Sequence, residues 1–375
     1  MKALITGLWL IAAYVSAQAS ITQQDIYVSG ENGYDTYRIP SIAVTVKGTL
    51  LAVCEGRKTG RGDAGDIDLL IKRSLDNGKT WSGQQVIWDD GANTCGNPCM
   101  VVDEQTGSIL LLSTWNLGDD HEPQILTGES KDTRRIFVFK SDDDGVSWSK
   151  PVEITGDVKM PQWRWYATGP GVGIQLKTGD KKGRLVVSAN HSFAEITPGV
   201  NFGSHCIYSD DHGQTWKLSD TVMPGLNENQ IVELSDGKLL MNARNHRYRG
   251  TRGLAFSTNG GETWPYVAYE SNLVEPRCQA SILRYAPAGS DKSMILFCNP
   301  ADGAKRINMT VKLSYDEAKT WPVAKSVFAG PSAYSCLVTL PDGTIGCFYE
   351  TGEKMPYEKI SLAVFTLDWL TGGNQ

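Results

Sequence analysis

The sequence predicts an all-β fold, specifically a six-bladed β-propeller with four-stranded antiparallel blades. The first observation is a pattern of Ser, Asp or Asn, Gly or Ala, and Thr or Ser before Trp, which occurs five times. Successive copies begin 67, 68, 48 and 57 residues apart, close to or somewhat above the length of one propeller blade. The second observation is that short β-branched and aliphatic runs alternate with Gly, Asp and Asn turns. The copies occupy residues 74–81, 141–148, 209–216, 257–264 and 314–321.

Each copy, called an Asp box below, is predicted to be a structural turn. Asp bonds backbone amides two residues on, Gly accepts positive φ, and Trp anchors the hairpin on its blade. Because one turn repeated around a ring cannot build one asymmetric site, we expect the boxes on the outer rim, away from any ligand. Asn259 and Ala318 replace the Asp and the Gly of the other copies and are expected to weaken their turns.

The strands between the boxes follow from apolar runs bounded by turn residues. Asp-Gly pairs at 236–237 and 342–343 lie between such runs and predict hairpins. Five boxes fit six blades if one blade is unmarked, and the last blade is expected to close by pairing of N- and C-terminal strands. The predicted strands are 41–46, 49–54, 68–73, 109–113, 135–140, 184–188, 230–234, 238–242, 294–297, 308–313 and 344–349.

Composition favours one loop-rich globular domain over residues 20–375, with 39 Gly and 11 Trp in 375 residues. The formal net charge of −6 gives no basic surplus, so nucleic acid is not an expected partner. We expect a monomer.

Residues 1–19 predict a signal peptide. Lys2 precedes a short apolar run that ends at Ala17-Gln18-Ala19, an A-x-A cleavage site, so the mature chain is expected to begin near Ser20. A membrane anchor is the alternative, but the run is shorter than the roughly 20 apolar residues that span a bilayer. We therefore expect a secreted or periplasmic protein with no membrane span after cleavage.

Eight cysteines in an exported chain allow one or more disulfides, with buried free thiols as the alternative. Cys95 and Cys99 lack a second pair at zinc-like spacing, and the five histidines are scattered, so no metal is expected. The sequence contains no nucleotide-binding motif, and no cofactor is expected.

Three arginines stand at or near predicted strand ends in three different blades, at Arg38, Arg244 and Arg306. Inner strands of a propeller converge on its axis, so these guanidinium groups are expected to meet around one anion. A surface salt bridge is the alternative for each arginine alone. Arginine binds a carboxylate through two parallel hydrogen bonds, which makes a carboxylate the expected ligand.

The ordered motifs resemble the exo-α-sialidase (neuraminidase) family over nearly the whole mature chain. Asp boxes alone are weak evidence because lectins also use them, whereas the ordered set is specific. The matching segments are Tyr37-Arg38-Ile39-Pro40, Glu55-Gly56-Arg57 with Asp63, Thr168-Gly169-Pro170-Gly171, Asn227-Glu228-Asn229, Arg244, Arg306 and the stretch from Gly330 to Ser335.

The resemblance implies that Arg38, Arg244 and Arg306 hold the carboxylate of sialic acid. It further implies that Arg57 lies near the 4-hydroxyl and that Glu350 orients Arg38.

The resemblance also implies a tyrosine nucleophile, an exception among retaining glycosidases. An anionic nucleophile would meet the sugar's own carboxylate at the anomeric carbon, whereas a neutral phenol avoids that repulsion. Because tyrosine has a pKa near ~10, it needs an adjacent base. Tyr334 and Glu228 fit this pair, with Glu228 in a turn-like segment before a strand. Their alternatives are a rim aromatic and a solvated acid.

Asp63, in the glycine-rich loop after Arg57, is the expected acid/base, with Asp66 and Asp68 as rivals. An N-acyl group requires an apolar aromatic pocket. The candidates for that pocket are Met100, Trp115, Trp163 and Trp165.

The expected activity is retaining hydrolysis of terminal α-linked sialic acid from sialylated glycoconjugates. One alternative is a non-catalytic sialoglycan-binding lectin. Another is a trans-sialidase or intramolecular trans-sialidase, which shares the first covalent step.

Overall fold

The computed structural model describes residues 21–194, 201–248, 250–287 and 293–373, so the predicted signal peptide lies outside the described residues. These residues form 25 strands and three short helices. The first strands are β1 Ile21–Val28, β2 Thr36–Val44, β3 Leu50–Arg57, β4 Ile67–Ser74, β5 Gln85–Trp88, β6 Thr94–Val102, β7 Ile109–Asn116, β8 Arg135–Ser141, β9 Val152–Glu153, β10 Trp163–Thr168, β11 Gly171–Val172 and β12 Ile174–Gln175. The others are β13 Leu185–Phe193, β14 Phe202–Ser209, β15 Lys217–Leu218, β16 Leu226–Glu233, β17 Leu239–Asn245, β18 Arg252–Ser257, β19 Tyr266–Glu270, β20 Ser281–Tyr285, β21 Met294–Pro300, β22 Ile307–Ser314, β23 Val323–Thr339, β24 Ile345–Thr351 and β25 Lys359–Phe365. The helices are α1 Glu122–Thr127, α2 Thr155–Val158 and α3 Leu367–Thr371.

The strands pair mainly antiparallel, in four sheets of seven, five, nine and four strands. The seven-stranded sheet has the order β1-β25-β24-β23-β22-β21-β20, and the four-stranded sheet has the order β16-β17-β18-β19. The nine-stranded sheet follows β2-β3-β4-β6-β7-β8-β9, with β5 on β4 and β11 on β6, and the five-stranded sheet follows β10-β13-β14-β15, with β12 on β13. The all-β prediction is confirmed, while the count of six blades stays a prediction.

The first and last strands of the fold lie side by side. β1 pairs antiparallel with β25, with Ile21 opposite Phe365. The predicted pairing of N- and C-terminal strands is confirmed.

The Asp boxes form one repeated hydrogen-bonded turn. In every copy the serine hydroxyl accepts from the backbone N–H four residues later, at 2.8–3.0 Å. The acidic or amide side chain accepts from the N–H of the following Thr or Ser at 2.8–3.0 Å. The side chain of Asn259 still accepts this bond from the backbone. The replacement of Asp by Asn therefore does not remove the bond, although the sequence predicts a weaker turn. Ala318 keeps its bond as well, but with a φ of 64°, where the other boxes have glycine.

Apolar side chains between neighbouring strands form the cores, and all eight cysteines are buried there as free thiols. The Sγ atoms of Cys298 and Cys347 lie 3.5 Å apart, within hydrogen-bond distance but without a disulfide bond. The free-thiol alternative is therefore confirmed over the disulfides. No helix within the described ranges is both long and apolar enough to cross a membrane.

Candidate active site

One cavity of about 330 Å³ brings together residues from distant parts of the chain. Seven of the eight predicted site residues line it, and the eighth, Glu350, is fully buried beside Arg38. The residues that line it are Arg38, Arg57, Asp63, Glu228, Arg244, Arg306 and Tyr334. The Asp boxes are absent from its lining, as expected for turns on the rim.

The three arginines contact the side chain of Tyr334, two at its ring and one at its hydroxyl. The Cζ atoms of Arg38 and Arg306 lie 5.1 and 5.5 Å from its centroid, within cation–π range. Nη1 of Arg244 donates to the Tyr334 hydroxyl at 3.4 Å. Arg38 lies in β2 and Arg244 in β17, while Arg306 directly precedes β22. The fold therefore collects three positive charges at one point, which favours an anionic ligand.

Tyr334 and Glu228 form a short hydrogen bond inside this ring of charge. The phenol donates to Oε1 of Glu228 at 2.5 Å, and Oε2 of Glu228 accepts from Nη1 of Arg244 at 2.8 Å. Burial, followed by the charge of Glu228, raises the pKa of Tyr334 well above its usual value, so the phenol is neutral at neutral pH.

The turn predicted around Glu228 is wrong, because the residue lies inside β16. The pairing of β16 with β17 shifts register between Leu226 and Asn229, which marks an irregularity of the β-bulge type. Such a bulge re-aims a side chain relative to a regular strand. The local sequence Gly-Leu-Asn-Glu-Asn suggested a turn, but pairing with β17 overrides that preference.

Glu350 holds Arg38 from behind the cavity. Its Oε1 accepts from Nε of Arg38 at 2.7 Å and from the backbone N–H of Ile39 at 2.9 Å, and its Oε2 accepts from the N–H of Tyr334 at 3.2 Å. The pairing of β2 with β3 shifts register after Arg38, and Ile39 has a φ of 59°. One carboxylate thus fixes both an arginine and the backbone of the tyrosine.

Asp63 lies in the loop after β3, at the mouth of the cavity, with 56% of its side chain exposed. Its Oδ1 is 2.8 Å from Nη1 of Arg57 and 3.9 Å from Nη1 of Arg38. Partial loss of solvent around the carboxylate opposes ionisation, but the charges of Arg57 and then Arg38 outweigh it and hold the pKa of Asp63 below its usual value. Glu55 accepts two further bonds from Arg57, at 2.6 and 2.9 Å.

The rival carboxylates Asp66 and Asp68 lie outside the cavity lining. With Asp89 they form a cluster whose oxygens could approach a metal ion. The Nζ of Lys58 occupies it, 2.9 Å from Asp66, 3.1 Å from Asp68 and 3.6 Å from Asp89. The Lys58 ammonium group already supplies the positive charge that these carboxylates need. Since Asp63 lines the cavity and its two rivals do not, the geometry favours Asp63 as the acid that faces a ligand.

Of the four pocket candidates, Trp165 lines the cavity, whereas Met100 and Trp163 are buried in cores. Trp115 packs against a core cluster and bonds Asp90. Sequence reasoning could not decide which aromatic faces inward, because that depends on strand register.

The sequence prediction missed several residues that line the cavity, including Asn97, Glu122, Arg134, His246 and Tyr357. The hydroxyl of Tyr357 accepts from Nη1 of Arg306 at 2.8 Å, and its ring lies 4.2 Å from Cζ of Arg38. Arg134 directly precedes the strand β8, and this position at a strand end is the one sequence feature that it shares with the three predicted arginines.

The fold and site define an all-β protein that presents an arginine-rich cavity beside a buried tyrosine–glutamate pair. Residues 48–347 match the family model described as BNR repeat-like domain. The chain is 37% identical over 371 residues to a sialidase of Micromonospora viridifaciens, covering 94% of this chain and 54% of that protein. It is 34% identical over 378 residues to an exo-alpha-sialidase of Aspergillus fumigatus, covering 91% of this chain and 86% of that protein.

Among solved structures, the Hadza microbial sialidase Hz136 superposes with a TM-score of 0.82 at 30% identity. The match covers 93% of this chain and 69% of that one. This chain therefore belongs to the family of BNR-repeat sialidases. It spans about half the length of the Micromonospora relative.

Proposed function

We propose that this protein is a retaining exo-α-sialidase that hydrolyses terminal α-linked sialic acid from glycoproteins, glycolipids or oligosaccharides. The observation that carries the proposal is the convergence of three guanidinium groups on the Tyr334–Glu228 pair inside one cavity. Sialic acid presents a carboxylate at the carbon that a nucleophile must attack. An arginine cluster beside a neutral tyrosine suits both features.

Arg38, Arg244 and Arg306 are the proposed ligands of that carboxylate, and Glu350 positions Arg38. Nε of Arg244 is buried without a hydrogen-bond partner among the described residues, which supports its assignment to an acceptor on the ligand. Arg57 is proposed to lie near the 4-hydroxyl of the sugar.

Tyr334 is the proposed nucleophile and Glu228 its base. The 2.5 Å bond lets the phenol proton pass to Glu228 as the phenolic oxygen attacks the anomeric carbon and the glycosidic bond breaks. Arg244 contacts both groups and stabilises negative charge on either. Water then displaces the tyrosine, which takes its proton back, and two inversions give retention.

Asp63 is the proposed acid/base that protonates the leaving oxygen and later deprotonates water. In the free protein Arg57 and Arg38 favour its ionised form. A substrate carboxylate bound at Arg38 compensates part of that positive charge and raises the pKa of Asp63 toward the protonated form that an acid requires. Substrate binding thereby prepares the acid.

Three further features belong to this proposal. The six-bladed count is supported by β23, whose first half pairs with β22 and whose second half pairs with β24, as expected for a strand that joins two blades. Export to a secreted or periplasmic location rests on the N-terminal sequence alone. We expect the catalytic domain to act as a monomer.

The test is hydrolysis of an aryl α-sialoside by the parent and two variants, Tyr334→Phe and Asp63→Ala. Both variants are expected to lose about 100- to 10,000-fold in kcat, the usual contribution of acid–base and nucleophilic groups. Tyr315→Phe is the matched control, because Tyr315 is half exposed on a rim turn and its loss should leave the rate unchanged. Thermal unfolding checks that all variants fold.

A parental rate in both active-site variants would refute the mechanism. Binding of sialoglycan by the parent without release of free sialic acid would instead favour a lectin. Product analysis by NMR with excess lactose separates hydrolysis from transfer to lactose or formation of an anhydro sugar.

A further inference from the structure

Arg134 is a fourth arginine in the cavity lining, and its hydrogen bonding is incomplete. The residue is 1% exposed, and its Nη2 donates to Oδ1 of Asn97 and to Oγ1 of Thr114, each at 2.9 Å. Its Nε and Nη1 have no partner anywhere in the described part of the chain. Buried donors of a charged group are costly to leave unpaired, so two such atoms beside a cavity point to a ligand.

The guanidinium lacks a direct counter-ion as well. No carboxylate of the described residues lies within the 4 Å of an ion pair with Arg134, although Glu55, Asp63 and Glu122 are near enough to act on it at longer range. Burial lowers the pKa of Arg134 to about 10, which still leaves it charged at neutral pH. A second anionic group of a ligand would meet those carboxylates, so a neutral acceptor oxygen fits better.

The side chain is nevertheless held firmly. Its Cζ lies 3.9 Å from the ring centroid of Trp165, a close cation–π contact. Asn97, which accepts from it, lies in β6 where the register shifts, with a φ of 52°. The backbone N–H of Asn97 donates to Glu55, which also holds Arg57. This chain of contacts links Arg134 to Arg57 through Asn97 and Glu55, and both arginines line the cavity.

The residues that hold Arg134 come from different strands than the three arginines of the proposed carboxylate site. The partners of Arg134 come from β6, β7 and β10, whereas the arginine trio comes from β2, β17 and the residue before β22. Under the proposed function, Arg57 lies near the 4-hydroxyl of the sugar. Because Arg134 is linked to Arg57 through Asn97 and Glu55, the substituents at C4 and C5 are the acceptors that this arrangement favours for Arg134.

We propose that Nε and Nη1 of Arg134 donate hydrogen bonds to a neutral oxygen on the C4 or C5 substituent of the bound sugar, which makes Arg134 a specificity-determining residue. This inference rests on the proposed function. A site built around buried donors discriminates strongly against an analogue that lacks their acceptor.

The experiment compares Arg134→Met with the parent on three aryl α-sialosides: the 5-N-acetyl sugar, its 5-hydroxy analogue and its 4-deoxy analogue. On the 5-N-acetyl sugar, the variant should lose roughly 10- to 100-fold in kcat/KM, the effect of a lost charge-assisted hydrogen bond. On the analogue that lacks the contacted oxygen, the loss in kcat/KM caused by Arg134→Met should be less than about threefold. A small loss on the 5-hydroxy analogue identifies the acyl carbonyl as the acceptor, and a small loss on the 4-deoxy analogue identifies the 4-hydroxyl. Arg135→Met is the matched control, because Arg135 is 38% exposed and pairs with Asp132 outside the cavity.

An equal loss on all three substrates, or no loss on any, would overturn the inference. Thr114→Val distinguishes a ligand contact of Arg134 from a structural role. It removes the hydrogen bond that Nη2 of Arg134 donates to Thr114 and leaves Nε and Nη1 unchanged. It should lower the melting temperature without changing the ratio of rates among the three sugars. A parent that cleaves none of them would overturn the proposed function and this inference together, whereas an active parent with unchanged selectivity in Arg134→Met overturns the inference alone.

Discussion

Glu350 is fully buried and joins Arg38 to the backbone of Ile39 and Tyr334. Replacing it with alanine removes the nearest counter-ion of a buried guanidinium and leaves two backbone N–H groups unpaired. Removing one partner of a buried ion pair costs about 3–5 kcal/mol. For a domain of this length, the entropy of unfolding of about 0.7 kcal/mol per kelvin converts that loss to a fall in Tm of about 4–7 °C.

Calorimetry or thermal circular dichroism of Glu350→Ala measures this loss. Asp119→Ala is the control, because Asp119 pairs with Lys131 at 3.2 Å with both side chains mostly exposed, and such pairs are worth about 0–1 kcal/mol. Equal Tm values for the two variants would refute the electrostatic account. The same substitution frees Arg38, so kcat/KM on an aryl sialoside should fall while Asp119→Ala retains the parental value.

Three other predictions follow from the turns and thiols. Ala318→Gly should raise the free energy of unfolding in urea by about 0.5–1 kcal/mol, because a side chain at a φ of 64° is strained there; a loss of stability would contradict this. Hydrogen bonds from Ser147 and Ser141 lower the pKa of Asp143 to about 2, so its contribution is present above pH ~4 and is lost as pH falls toward 2. Asp143→Asn cannot titrate and should lose less stability than the parent between pH 4 and 2; parallel curves would count against the assignment. Ellman titration should find eight thiols in unfolded protein and slow reaction in the native state, and a count below eight would indicate a disulfide.

The sequence by itself determined the parts whose contacts are local. Each Asp box closes through bonds between residues two to four apart, so its turn follows from its own side chains. The alternation of apolar runs with turn residues likewise determined the all-β class. The order of arginines, acids and tyrosine along the chain was readable as well, through the family resemblance.

The tertiary structure alone decided which of these residues meet. Tyr334 bonds Glu228 across 106 residues, and Arg38 bonds Glu350 across 312, separations that no local pattern encodes. Strand pairing placed Glu228 in a strand instead of a turn. Packing set Lys58 among the rival aspartates and Arg134 at the cavity wall. These outcomes depend on register and on burial against distant strands, where a shift of one residue turns a side chain to the opposite face.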